Sequence, residues 1–501
     1  MSILTNQIQR NLLEVARFIS GLIAVFILLI PPDAQALPAF ARQTGQNCVS
    51  CHAGGQFPEL TPYGRTFKMT GYTMGSRAVP LSVMGVVNYA KVKDISKSDN
   101  PTGSGGDFQR NGEVVFSGAS LFIAGKVTDN IGLFSQITYD PYAVQNQNGS
   151  FSGHSNADNI DLRYADRFID LNRDLIVGFS LNNNPSVTDP WNTAPAWMQY
   201  VPAAGLGSHQ FADPNSPFPS FGSGGNVAGM NAYAYWNKLV YAELGFYQSA
   251  NKGFSVMSAG INDANTTKLQ GVNNPYWRLA LTREWGAHNL MVGTTGMVAH
   301  IYDDPTITSD PNSISRVKNM GVDAQYQYLL DPHTITAQLA FMRQKKEFSA
   351  NTVAALAAPA FFDSAGNPLT QLGNTSDTTN VFRAKVSYVY QAKYGGSLAF
   401  FNLTGTTNSA NQTSGFNSTG QITSTDQGDG ITSTRVTGNL TGNPATRGVT
   451  LEAFWTPVQN ARVGLMYTAY NKFNGATTNY DGFGRDAKDN NTLFGYVWFA
   501  Y

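Results

Sequence analysis

The sequence has no excess of charge of either sign: 33 Lys and Arg stand against 33 Asp and Glu in 501 residues. Charged residues make up only 13% of the chain, about half the ~25% of ordinary globular proteins. A nucleic-acid binder needs a basic balance, so no nucleic acid is expected as a partner. Cysteine is also scarce, with two in the whole chain, and two cannot staple a protein of this size into a disulfide scaffold. Long apolar runs are missing as well. After Ile30 no run approaches 18 residues, which leaves no transmembrane helix past that point. If the mature chain enters a membrane, it must do so as a β-barrel.

The N-terminus reads as an export signal over residues 1–36. Arg10 and Arg17 precede a 13-residue apolar run, Phe18 to Ile30, ended by Pro31 and Pro32. Ala34-Gln35-Ala36 supplies a small-residue cleavage site, with Leu37 the expected mature N-terminus.

Both cysteines fall in Cys48-Val49-Ser50-Cys51-His52. By composition alone this spacing with a following His has a chance of about 1 in 20,000. Cys-x-x-Cys-His is the attachment signature of c-type haem: two thiols form thioethers to the porphyrin edge, and the adjacent His ligates the iron. A thioredoxin-like pair would need a βαβ context, and a zinc site would need further ligands nearby, whereas the next His is His154. One covalently attached c-type haem is therefore expected on Cys48 and Cys51, with His52 as proximal iron ligand. Met74 is the candidate distal ligand, with Met69 as alternative and Met84 next in sequence. The segment 37–78 is near the size at which a domain needs a staple to fold. A haem module docked against or plugged into its partner domain is expected.

From Val79 onward the chain reads as segments of about ten residues with alternating polarity. Val463, Leu465, Tyr467 and Ala469 fall on one parity, Arg462, Gly464, Met466, Thr468 and Tyr470 on the other. Val449 to Trp455 and Ile335 to Phe341 divide in the same way. Seven tight turns, near residues 129–130, 172–174, 237–238, 286–287, 331–332, 392–393 and 459–460, alternate with eight long connections rich in Ser, Thr, Asn and Gly. The long ones fall near 94–109, 144–158, 187–225, 250–274, 305–314, 349–378, 409–446 and 476–490. Short turns on one side and long loops on the other are the asymmetry of a bacterial outer-membrane barrel. The fold class expected is mainly β: a 16-stranded antiparallel transmembrane barrel over 79–501, its termini on the periplasmic side, in contact with outer-membrane lipid. The aromatic last strand, Phe494 to Tyr501, suits an interfacial girdle. Residues 188–225, with Trp191, Trp197, His209, Phe211, Phe218, Phe221 and several Pro, read either as a constriction folded into the lumen or as a surface loop closed on its own aromatics. Arg383, Lys385 and Arg462 share the water-facing parity, as in an anion-preferring pore.

The run Phe40-Ala41-Arg42-Gln43-Thr44-Gly45, the haem motif, Phe57 to Arg65, Phe67-Lys68 and Gly71-Tyr72-Thr73 resemble the fused outer-membrane monohaem cytochrome-porins of iron-oxidising bacteria. The likeness is dense over residues 38–75 and architectural over the barrel. It implies an oxidoreductase in the bacterial outer membrane that oxidises extracellular Fe(II) and passes electrons to a periplasmic cytochrome carrier. Arg42, Arg65 and Lys68 match family positions and would be candidates to pair with haem propionates. The alternative function is a porin whose attached cytochrome serves another electron donor or accompanies small-solute transport.

Overall fold

The computed structural model describes residues 38–55, 59–93, 112–145, 150–193, 227–250, 252–258, 268–357, 361–362, 368–369, 374–408, 442–480 and 484–501. The expected leader, residues 1–36, lies outside them. So do Trp197, His209, Phe211, Phe218 and Phe221.

The alternating segments form strands because every second side chain must find lipid or lumen. In chain order they are β1 Leu81–Val92, β2 Val114–Lys126, β3 Ile131–Gln145, β4 Phe151–Ile169, β5 Asp174–Asn182, β6 Val227–Trp236, β7 Val240–Ser249, β8 Pro275–Trp285, β9 His288–Tyr302, β10 Ile314–Leu330 and β11 His333–Glu347. After the two-residue strands β12 Phe361–Phe362 and β13 Pro368–Leu369 come β14 Ser376–Tyr390, β15 Tyr394–Gly405, β16 Thr446–Val458, β17 Ala461–Lys472 and β18 Thr492–Ala500. β12 and β13 pair only with each other, and the other sixteen close into one antiparallel barrel. Closure runs from Met84 opposite Ala500 to Val92 opposite Thr492. It leaves no open sheet edge, the condition for crossing lipid with strands.

The parity read from the sequence holds. Leu465 and Tyr467 are exposed while Met466, Thr468 and Tyr470 are buried; Val449, Leu451 and Trp455 are exposed while Thr450, Glu452 and Phe454 are buried. Apolar residues outside and polar residues inside invert the soluble pattern, so this is a transmembrane barrel. All seven tight turns occur as expected; at one of them Asn237 and Lys238 take φ of 50° and 53°, the left-handed geometry of a two-residue hairpin loop.

Two details differ from the sequence reading. The connection expected at 144–158 is strand over most of its length, because β3 runs to Gln145 and β4 begins at Phe151. In the last strand Phe494 and Tyr496 are buried and pack inward with Met466, Ala90 and Val92. Period-2 geometry leaves only Phe499 and Tyr501 on the outward parity, so the strand contributes less to a girdle than its composition suggests.

The segment before β1 is helical and lies inside the barrel. Its helices are α1 Pro38–Thr44, α2 Cys48–Cys51 and α3 Pro62–Met69. Its bonds reach the wall around nearly the whole circumference. The Ala39 amide donates to Ser82 of β1 (3.0 Å), and the Lys126 amide of β2 donates to Gln43 (2.8 Å). Tyr72 donates to Asp161 of β4 (2.6 Å), and Tyr233 of β6 donates to the Met69 carbonyl (2.8 Å). Arg65 donates to Asn289 of β9 (2.7 Å), and Lys385 of β14 pairs with Glu59 (2.8 Å). Anchors on so many strands mean that the segment crosses the lumen as a plug near the short-turn end.

Candidate functional site

The Cys-x-x-Cys-His turn is held by the start of α3. Thr61 caps that helix, its hydroxyl accepting from the Gly64 amide (3.1 Å), and Pro62 takes the first helical position, where its missing N–H costs nothing. The same hydroxyl donates to the Ser50 carbonyl (2.5 Å), the Thr61 amide donates to Cys51 (2.9 Å), and His52 bridges to Leu60. A Cβ on Gly64 would lie 2.2 Å from the Cys51 carbonyl oxygen, so only glycine lets α3 approach the cysteine turn this closely.

Cys48 and Cys51 sit one helical turn apart with no disulfide between them. Together with His52 they line a single cleft of about 830 Å³ of unfilled space, continuous with solvent at its mouth. Phe40, Leu60, Phe67, Phe134 and Val187 provide apolar walls. Phe40 stacks on Tyr72 at 5.5 Å and meets Phe67 edge-on at 4.9 Å. Burial pushes the His52 imidazole down to about 4, against the opposing pull of Glu59. The ring is therefore neutral at neutral pH, the form that ligates a metal. Burial, with Cys48 adding, pushes the Cys51 thiol up to about 11. Two thiols and a neutral imidazole on one apolar cleft fit a c-type haem.

The other expected site residues are dispersed. Neither Met69 nor Met74 is among the residues lining the cleft. Met69 is buried in a separate cluster with Trp191, Tyr233, Tyr241 and Met291. The carbonyl of Met74 accepts from Gln43 (2.8 Å). Arg42 and Arg65 do not line the cleft either. Arg42 donates to the carbonyls of Val79 (3.2 Å) and Leu81 (2.5 Å), fastening α1 to the start of β1. Arg65 is committed to Leu60, Gln325, Gln327 and Asn289. Arg42 thus holds α1 to the wall through one terminal nitrogen, and Arg65 anchors α3 through both of its own. Lys68 does line the cleft, with its ammonium on the Asp189 carbonyl (2.9 Å). Burial pushes it down to about 8, with Arg163 adding and Asp161 and Asp189 opposing.

The segment 185–193 folds into the lumen and supplies Val187 and Asn192 to the cleft; the rest of the connection expected at 188–225, from residue 194 on, lies outside the described residues. Trp191 is fully buried and meets Tyr241 edge-on at 5.3 Å. Asp189 accepts from Arg278 (3.2 Å), and Arg278 also binds Asp323 through two nitrogens (2.5 and 2.7 Å). Thr193 donates to Asp323 as well. Val187, Asn192 and Phe134 escaped the sequence reading because they reach the cleft only through barrel closure.

The water-facing cations are inward as expected, yet two are neutralised in place: Lys385 by Glu59 and Arg462 by Glu452 (2.7 Å). Gly71 and Tyr72 follow α3 with φ of 70° and 60°. The left-handed Tyr72 is held by its bond to Asp161 and by Gln43, which donates to its carbonyl (2.6 Å). Backbone strain of this kind persists only where the surroundings fix it.

No family model matches the chain, and no curated protein matches it. Several solved structures resemble it in overall shape. OmpF of Salmonella typhi, in complex with daunomycin, has a TM-score of 0.41 and 11% identity, covering 84% of this chain and 97% of that one. OmpT of Vibrio cholerae in its trimer form gives 0.40 and 10%, with 84% and 98% covered. An anion-selective porin from Comamonas acidovorans gives 0.38 and 9%, with 84% and 99% covered. At these values the likeness adds nothing to what the sixteen strands themselves show: a porin-like transmembrane barrel with its lumen crossed by the chain's own N-terminal segment.

Proposed function

We propose that this chain is an outer-membrane cytochrome-porin that oxidises extracellular Fe(II) and delivers the electrons to a periplasmic cytochrome. The reading rests on one observation above all: Cys48, Cys51 and His52 line one apolar cleft inside a sixteen-stranded barrel. When bound, a c-type haem supplies a one-electron couple, which matches the single electron that Fe(II) loses. Cys48 and Cys51 would hold the group through thioethers, and His52 would ligate its iron. Phe40, Leu60, Phe67 and Val187 would keep water from its faces. Neither Met69 nor Met74 lines the cleft, so no distal protein ligand is proposed.

Exposed Gln46, Asn47 and Val49 surround the cleft near the Gln459 turn, to whose side chain the Cys48 thiol donates (3.3 Å). A periplasmic carrier would meet the module at this short-turn end. Oxidation outside the membrane keeps poorly soluble ferric product out of the periplasm. The plug and the infolded segment argue against small-solute transport as the main role, because their bonds to the wall cross the path a solute would take.

The test uses proteoliposomes carrying the haem-loaded protein, with a ferric cytochrome c trapped inside and Fe(II) added outside. The trapped cytochrome is expected to be reduced, and a Cys48→Ala/Cys51→Ala variant should leave it oxidised. Equal reduction with both proteins would contradict the reading.

A further inference from the structure

We propose that the outward face of β10 and β11, at their long-loop end, is a binding site for the phosphate of an anionic lipid headgroup in the leaflet on that side. The observation behind it is a charge arrangement that is unfavourable without a counter-anion. In the register of the two strands Arg316 lies opposite Glu347, Lys318 opposite Lys345, and Met320 opposite Arg343. Directly opposed residues share one face of a sheet. That face is the outer one, since Met320 and Val322 are exposed beside Leu339 and Phe341. Like charges directly opposite each other destabilise a strand pair. Here Lys318 and Lys345 are opposed, and Arg316 and Arg343 lie two positions to either side. Among the described residues a single carboxylate serves the group: Glu347 is 3.1 Å from Lys318, 3.2 Å from Lys345 and 3.9 Å from Arg316. Among the described residues, four cations against one carboxylate leave a net charge of +3 on one patch.

The height of the patch identifies what faces it. From the pair Leu330–His333 to the pair Met320–Arg343 is ten residues, or ~33 Å along the strand. At the ~40° tilt of such barrels this spans ~25 Å of membrane normal, the thickness of the apolar band. At its lower boundary lie the aromatic residues Tyr390 and Tyr388, opposite His333 and Ile335, and both contact His333 at the short-turn interface. Lys318, Lys345 and Arg316 therefore begin where the opposite apolar boundary ends, at headgroup level. Lys345 and Arg316 are each about half exposed, and Lys318 about one third. Guanidinium and ammonium groups at that depth are the donors an anionic phosphate needs.

The test is lipid retention by the intact, haem-loaded protein in detergent, measured by native mass spectrometry with phosphatidylglycerol and with zwitterionic phosphatidylcholine. The protein should retain phosphatidylglycerol selectively. Arg316→Gln/Lys318→Gln/Arg343→Gln/Lys345→Gln should lower that retention at least tenfold. A control neutralising the exposed Arg173, Lys238, Arg283 and Lys393 at the short-turn end should change it less than twofold. If the fourfold variant fails to fold, Arg343→Gln/Lys345→Gln serves in its place, with a loss of at least fivefold. Equal losses in patch and control variants, or equal retention of the two lipids by the unaltered protein, would overturn the proposal.

Discussion

Replacing Arg278 with Leu should open the lumen. Arg278 is fully buried and holds two carboxylates at once, Asp189 of the infolded segment and Asp323 of β10. Removing the guanidinium leaves both carboxylates buried without their cation, and breaking a buried pair in this way costs about 3–5 kcal/mol. The loss falls on the contact between segment 185–193 and the wall. Lys68, which donates to the Asp189 carbonyl, ties that segment to the plug, so the plug loosens with it. At 1.4 kcal/mol per factor of ten, the open population of the segment rises by about 10²–10³-fold. Single-channel recording in planar bilayers should then show larger and more frequent openings than the unaltered protein, along with faster cleavage of residues 185–193 by added protease. Removing the stranded carboxylates as well, in Arg278→Leu/Asp189→Asn/Asp323→Asn, should restore most of the closed state, because uncompensated charge is the cause. Unchanged conductance and protease resistance in Arg278→Leu would refute the view that this ion cluster keeps the segment folded in.

Three further outcomes follow from the same contacts. Met69→Ala should lower the thermal midpoint, at a cost of about 2–5 kcal/mol for a buried Met, yet leave the haem absorbance bands unchanged; a spectral change would make Met69 an iron ligand after all. Gly64→Ala places a methyl group 2.2 Å from the Cys51 carbonyl, so the haem content per barrel should fall well below that of the unaltered protein, and normal haem content would disprove the close crossing of α3 and the cysteine turn. In haem-free protein the docked His52 titrates near 4, below the ordinary value near 6.5. The undocked state then binds the proton more readily, and docking of residues 38–76 should weaken as pH falls from about 6.5 to about 4, with no further gain above that range. Protease accessibility of the segment measures this, and the pH dependence should flatten in His52→Gln.

The barrel was legible because its determinants are local. Alternation at Val463 to Tyr470 needs only the two-residue period, and turns such as Asn237-Lys238 carry their own chemistry. The Cys48 to His52 motif was equally plain as a spacing, and its two thiols and imidazole do share one cleft. What escaped depends on closure. Nothing near Arg65 in the sequence shows that Asn289, Gln325 and Gln327 await it, more than 200 residues away. Met69 was a reasonable ligand by sequence distance, but on α3 it points to the wall cluster around Trp191 and not to the cleft. Lys385 and Arg462 were correctly placed in the lumen, though parity alone could not show that Glu59 and Glu452 neutralise them there. The infolded segment carried a partial signal in its aromatics and prolines. Its described part, 185–193, is held in the lumen by Asp189, through a cation that lies 89 residues further along the chain.

The central claim is that the cleft at Cys48, Cys51 and His52 carries a redox centre reducible by iron. Its most direct test is stopped-flow absorbance of the purified, oxidised protein mixed with Fe(II). The reduced c-type haem bands are expected to appear, rising at a rate that increases with iron concentration. A protein whose haem is reduced by dithionite but not by Fe(II) would contradict that claim.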